Sequence, residues 1–266
     1  MKILIIGESC TDIYHYGTCS RLCPDAPVPV FKSTKINKNG GMAKNVEANI
    51  LKISNHVQID IITNETWNEI KKTRYVDEKT NHMFLRLDEN DDNYGFLTVE
   101  KINEINFNVY DAVIVSDYNK GFLSNDVLKI ISEKHKNTFI DTKRKIDKWS
   151  KNYTFIKVNN IEYENSLNYL KLNNHNLIVT KGPFGCVYKD TTYPVEKVEV
   201  KDTSGAGDTF LAALSVEYTK SKNIDKAIEF ANKCATIVVQ KQGVVTVWKF
   251  LLMVVLTFYI LVTLNF

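Results

Sequence analysis

Asp202-Thr203-Ser204-Gly205-Ala206-Gly207-Asp208-Thr209-Phe210 sets a glycine-bracketed turn directly before an apolar, helix-patterned run, with an aspartate at the junction. Gly205 and Gly207 let successive backbone N–H groups converge on one point. The first turn of the helix that follows adds unpaired N–H groups at the positive end of its dipole. A phosphoryl group fits such a cradle. Asp208 at its edge is placed to take a proton from an attacking hydroxyl, while the amides of Gly205, Ala206 and Gly207 stabilise charge on the transferring oxygens. A lone Gly-x-Gly-Asp would read as a plain loop-to-helix connection capped by aspartate. The nine-residue string is long enough to point to chemistry instead.

Upstream of this loop, short apolar runs recur with helical or loop segments between them: Lys2-Ile6, Gln58-Thr63, Ala112-Ser116, Thr138-Asp141, Thr154-Val158 and Leu177-Thr180. Strands of this kind, buried on both faces, predict a mostly parallel sheet covered by helices. Ligands gather at the carboxyl ends of such strands, which is where Asp12, Asp117, Asp141, Asn159 and Thr180 are expected. Ile13 to Ser33, with Pro24, Pro27 and Pro29, and His82 to Val99, with alternating Met83, Leu85 and Leu87, read as strands outside the main sheet, a flap over the site.

A chain of 266 residues, 44% hydrophobic, can bury one large core without dividing into two domains. Its 34 basic and 31 acidic residues are nearly balanced and scattered, which excludes an evident nucleic-acid stripe and favours a small substrate. Five cysteines, odd in number and without a Cys-x-x-Cys pair, support neither a zinc site nor a disulfide framework and read as a reducing cytoplasm. The run Ile3 to Ile6 is too brief for a signal-peptide core. There is no Gly-x-x-x-x-Gly-Lys-Ser/Thr loop, no Gly-x-Gly-x-x-Gly after the first strand and no His-Arg-Asp loop, so P-loop, dinucleotide-binding and protein-kinase readings lose their main support. Gly40-Gly41-Met42-Ala43-Lys44-Asn45 reads as a diglycine opening a helix with an amide on its first turn, a shape able to approach a polyhydroxyl ligand.

With the Asp208 loop, this diglycine segment resembles the ribokinase (PfkB-type) carbohydrate kinase family, from Lys2 to about Thr246. Within it the chain is most similar to D-glycero-D-manno-heptose 7-phosphate kinases, on Ser20-Arg21-Leu22-Cys23-Pro24-Asp25-Ala26-Pro27-Val28-Pro29-Val30, Leu85-Arg86-Leu87-Asp88 and Ser116-Asp117-Tyr118-Asn119-Lys120-Gly121. The resemblance implies a three-layer α/β/α fold with a mostly parallel central sheet and a small β lid, one kinase domain over residues 1–247 with lid segments at about 13–33 and 82–99. It implies Asp208 as the base, Gly205, Ala206 and Gly207 as the anion hole, and Asp12, Gly40, Gly41 and Asn45 around the sugar hydroxyls. Asn159-Asn160-Ile161-Glu162 matches an Asn-x-x-Glu element tied to magnesium, held through water, and to the phosphates of ATP. Thr180, Gly182 and Gly185 resemble the nucleotide turn, Asn232 is a weaker match toward the base or ribose, and Asp141-Thr142-Lys143 resembles an Asp-Pro-Lys element without its proline. A phosphosugar acceptor needs a second anion pocket, for which Arg21, Lys44, Arg86 and Lys120 are candidates. Relatives pair as dimers through segments like the two flap stretches.

Two departures weigh against a direct transfer of these roles. Between Asn64 and Thr73 the chain is shorter than the family's usual stretch, which carries another strand and helix. After Val245 the family's ending gives way to an apolar tail, uncharged from Phe250 to Phe266. The tail, residues 248–266, has three open readings: a membrane anchor tethering a cytoplasmic enzyme, a last core element, or a non-native end. The expected activity is ATP-dependent phosphorylation of a heptose 7-phosphate at O1. Its rivals are a kinase for another sugar or a nucleoside, and a tethered nucleotide- or sugar-binding protein without turnover.

Overall fold

The computed structural model describes residues 1–170 and 176–247. The apolar tail lies outside the described residues, and among those described no helix is long and apolar enough to cross a membrane. The chain opens with β1 (Lys2–Gly7), β2 (Ser9–Leu22), β3 (Pro29–Met42), α1 (Ala43–Ile53), β4 (Gln58–Ile62), β5 (Lys71–Asp77) and β6 (Met83–Glu89). It continues through α2 (Val99–Asn103), β7 (Ala112–Asp117), α3 (Asn125–Lys134), β8 (Thr138–Thr142), β9 (Phe155–Asn159) and α4 (Asn160–Leu170). Then come β10 (Leu177–Thr180), β11 (Cys186–Tyr188), β12 (Thr191–Tyr193), α5 (Ala206–Ser221) and α6 (Ile224–Val238).

The main sheet has eight strands in the order β12-β11-β10-β9-β8-β7-β1-β4. The six strands from β4 to β10 are parallel, and they are the six apolar runs read from the sequence. Period-two alternation splits each strand between two cores. Ile3, Ile5, Ala112, Ile114, Phe139 and Phe155 face α1, α5 and α6, while Leu4, Ile6, Val113, Val115, Ile140 and Ile156 face α2, α3 and α4. That division makes three layers. The helices begin where side chains satisfy their first amides: Ser124 Oγ accepts from Val127 N–H at 3.1 Å and Asn223 Oδ1 from Lys226 N–H at 3.0 Å. Helix α5 is buried without interruption from Asp208 to Val216, as a helix wedged between α1, α6 and the sheet must be.

A second sheet of four strands, ordered β3-β2-β5-β6, stands beside the first. It is wider than the two flap segments 13–33 and 82–99: β2 starts at Ser9, β3 runs to Met42, and β5 supplies a strand that the sequence reading did not place there. Asp12 consequently lies inside β2 and not at the carboxyl end of β1, because the chain re-enters a strand only one residue after Gly7. The diglycine is not a turn either. Gly40 and Gly41 pair with Thr11 and Cys10 as the end of β3, and the sharp change of direction falls on Met42, at φ 59°. Between β4 and β5 the chain crosses residues 63–70 without a helix, the physical form of the shortened segment.

Candidate active site

Helix α5 begins one residue after Gly205, whose φ of 78° belongs to the left-handed region. A methyl group there would meet Asn45 Nδ2 at 2.8 Å. The amide of Ala206 turns back to the Thr203 carbonyl at 3.2 Å, so of the three anion-hole residues it is the one whose N–H is already engaged. The amides of Gly205 and Gly207 find no partner among the described residues. Gly207 packs on a buried ion pair, and a methyl on it would sit 2.9 Å from Lys157 Nζ. Lys157, 4% exposed, bonds Asp141 Oδ2 at 2.7 Å and puts a positive charge beneath the helix start.

Asp208 occupies the third position of α5, and its side chain does not cap the helix. Asn45 donates to Oδ2 at 2.8 Å and the Tyr118 hydroxyl to Oδ1 at 2.8 Å. Burial is the largest influence on this carboxyl. With Asp141 nearby it outweighs the Asn45, Tyr118 and Lys157 contributions and pushes the pKa up to about 6. A carboxylate held by neutral donors, with a proton affinity near neutrality, suits a general base. Tyr118 is held in turn by Glu8, fully buried at the junction of β1 and β2, which accepts the Tyr118 N–H at 2.8 Å and the Lys120 N–H at 3.2 Å. Burial and then the charge of Asp117 push Glu8 up to about 7.

Asp208 opens onto a cavity of about 280 Å³, lined also by Asp12, Lys72, Arg74, Arg86, Tyr118, Lys120 and Gly205. Arg74 Nη1 bonds Asp12 Oδ1 at 2.6 Å, and its guanidinium lies 5.0 Å from the Tyr14 ring centre. Gly41 lacks a side chain where one would collide with Asp12. Of the four cation candidates, Arg86 and Lys120 reach this cavity. Lys44 instead pairs with Glu47 at 2.9 Å beside Trp67, and Arg21 is exposed near the outer end of β2. Lys72 and Arg74 take the places expected of them. A signal for these two was present: they alternate along β5, which puts both on one face. Lys157, a lysine within the apolar run of β9, was legible in the same way.

The remaining candidates lie on the strand ends beside α5. Asn159 and Glu162 form a reciprocal cap on α4: Asn159 Oδ1 accepts Glu162 N–H at 2.9 Å, and Glu162 Oε2 accepts Asn159 N–H at 2.6 Å. Glu162 Oε1 takes Asn159 Nδ2 at 2.8 Å and Lys143 Nζ at 2.6 Å. Every oxygen of the pair carries at least one hydrogen bond, an arrangement that suits a magnesium ion held through its water shell. Asn160 bonds Glu164 at 3.1 Å and Ile161 is exposed. Thr180 ends β10 with its hydroxyl on the Val158 carbonyl at 3.2 Å. Gly182, at φ 55°, opens a tight turn, and Gly185, at φ 81°, lies under the Tyr193 carbonyl where no side chain fits. Asn232 is buried, with Nδ2 on that same Tyr193 carbonyl at 3.0 Å, so its amide fastens β12 to α6.

The match to pfkB family carbohydrate kinases covers residues 53–249 and takes in β4 to the end of α6, with the Asp208 loop. The chain belongs to the pfkB carbohydrate kinase family. It is 32% identical over 299 residues to the bifunctional protein HldE of Helicobacter pylori strain J99, an alignment covering 91% of this chain and 63% of that protein. To HldE of a Nitratiruptor species it is 31% identical over 292 residues, covering 92% of this chain and 63% of that one. The chain therefore spans 63% of the length of these relatives. Among solved structures, a ribokinase from Thermotoga maritima superposes with a TM-score of 0.67 at 18% identity, covering 91% of this chain and 94% of that one. A carbohydrate kinase from Agrobacterium tumefaciens gives 0.68 at 17% identity, with 93% and 94% covered. The fold is ribokinase-like, and the enzyme is a carbohydrate kinase.

Proposed function

We propose that this kinase transfers the γ-phosphate of ATP to O1 of D-glycero-D-manno-heptose 7-phosphate, with Asp208 as general base. The observation that carries this reading is one cavity lined both by Asp208 and by the four cations Lys72, Arg74, Arg86 and Lys120. A phosphosugar has a hydroxyl to activate and a dianion to hold, and the lining offers a carboxylate for the one and cations for the other. The identity to HldE proteins supports heptose as the sugar. In the step itself, the O1 proton passes to Asp208, O1 attacks the γ-phosphorus, and the bond from that phosphorus to the bridging oxygen breaks to release ADP. The free amides at the start of α5, with Lys157 beneath them, stabilise charge on the phosphoryl oxygens. ATP would lie over the ends of β9 and β10, near Thr180 and Gly182. Magnesium would neutralise its phosphates and reach Asn159 and Glu162 through water. Two copies would pair through the lid, whose β6 exposes Met83, Phe84, Leu85 and Leu87.

Asp208→Asn tests the reading. It should retain ATP binding and lower ADP formation with heptose 7-phosphate by about 10²- to 10⁴-fold. The same change removes a buried charge. With the folded pKa at about 6, against 3.8 as the ordinary value, the ionised carboxylate costs stability above pH 6, on the order of 3 kcal/mol. Thermal melts at pH 8 should therefore show the inactive variant no less stable than the parent. Turnover at the parental rate would refute Asp208 as base, and turnover confined to unphosphorylated sugars or nucleosides would refute the acceptor.

A further inference from the structure

Each cation lining the acceptor cavity already has a carboxylate partner. Arg74 is held by Asp12, and Arg86 forks onto Asp88 at 2.7 and 2.8 Å. Lys120 Nζ meets Asp91 Oδ2 at 2.5 Å, while Lys72 Nζ meets Asp91 Oδ1 and lies 3.4 Å from Asp88. Asp91 differs from the others in what it joins, because Lys72 belongs to β5 of the lid and Lys120 to the loop after β7 of the main body. It is also anchored. Tyr94, 2% exposed, donates its hydroxyl to Asp91 Oδ1 at 2.8 Å. Burial favours the protonated acid, but the bonds from Lys120, Lys72 and Tyr94 outweigh it and pull the pKa down to about 2.

A lysine as buried as Lys72 requires a counter-charge at all times. Asp91 supplies it. A dianion placed between Lys72 and Lys120 would supply it again and would be repelled by Asp91, so the two anions compete for the same ammonium groups. A neutral hydroxyl cannot displace a carboxylate there, and a monoanion only replaces like with like. A phosphate brings more charge and three strong acceptor oxygens. We propose that Asp91 is a specificity-determining residue, an internal stand-in that holds Lys72 and Lys120 until a dianionic acceptor takes them over, and so admits phosphosugars in preference to neutral or singly charged sugars. This rests on the reading of the cavity as a phosphosugar site.

The experiment titrates inorganic phosphate and, separately, acetate into the full-length chain by calorimetry, as the parent protein, as Asp91→Asn and as Tyr94→Phe. The parent should bind phosphate and not acetate. Asp91→Asn should bind phosphate at least about tenfold more tightly and should now take acetate as well, since the competing charge is gone. Tyr94→Phe keeps every charge and only loosens the anchor, so it should fall between the two, and it serves as the test should Asp91→Asn fail to fold. Phosphate binding that is unchanged or weaker in both variants overturns the proposal, because Asp91 would then order the lysines and not compete for them. Binding of these ions is read without turnover. Failure of heptose 7-phosphate as a substrate would therefore count against the proposed function, and failure of the titration against Asp91 alone.

Discussion

Two aspartates, one lining the cavity on the side of the main body and one paired with its lysines on the side of the lid, are treated in opposite ways. At the body end, Asp208 is buried against neutral donors from Asn45 and Tyr118, and its pKa is pushed up to about 6. At the lid end, Asp91 is partly buried, meets two lysines and a tyrosine, and its pKa is pulled down to about 2. Burial acts in the same direction on both, and the charge of the partners decides the sign. A carboxylate raised in energy is ready to take a proton, whereas one neutralised by cations can only hold or be exchanged. Under the proposed function, chemistry and recognition are thus separated by the kind of partner each carboxylate receives.

The sharpest way to break the body end without touching a charge is Gly205→Ala. The residue would be strained at a φ of 78°, and its methyl would press on Asn45 Nδ2 from 2.8 Å, displacing the group that orients Asp208. Misplacing a base by about an ångström costs on the order of 100-fold in rate. Steady-state kinetics should show the loss in kcat. A fall confined to KM would mean that Asn45 serves the sugar and not the base.

At the lid end the expected effect is smaller and of a different kind. Lys72→Met removes one of two ammonium groups facing Asp91 and leaves Asp208 untouched. The KM for the phosphosugar should rise about tenfold, the scale of one charged hydrogen bond, with a lesser change in kcat. Comparable losses in both constants would erase the division between the two ends.

The same division explains what could be read along the chain. The body end is contiguous: Gly205, Gly207 and Asp208 lie within four residues, and the six parallel strands were visible as apolar runs because they are buried on both faces. The lid end is assembled from β2, β5, β6 and two loops, and although Lys72 and Arg74 alternate on one face of β5, no local pattern announces that Lys120 converges with them. Lys44 and Arg21 looked equally eligible as cations near expected site segments. What decided against them was a local pairing with Glu47 and a position far along β2. The Asn159-to-Glu162 element shows a third case. Its residues were legible, yet a capping box and a hydrated-metal site need the same side chains, so only their hydrogen bonds tell how many oxygens remain available. β11 and β12 are three residues each, too short for any alternation to show.

The finest distinction concerns Tyr118, which is linked to both groups: its hydroxyl bonds Asp208, the proposed base, and its loop carries Lys120. A base must be ionised to act, so kcat/KM should rise with pH through the pKa of Asp208, with an acidic limb at about 6. The Tyr118 hydroxyl stabilises the ionised form. In Tyr118→Phe that donor is absent, the protonated carboxyl becomes relatively more stable, and the limb should move upward by a fraction of a pH unit up to about one unit. The profile between pH 5 and 9 would settle the role. A purely structural contribution would lower the curve at every pH and leave the limb where it was. A movement to lower pH would mean that the tyrosine opposes the charge it contacts, and the contrast between a base held by neutral donors and an acid held by cations would no longer stand.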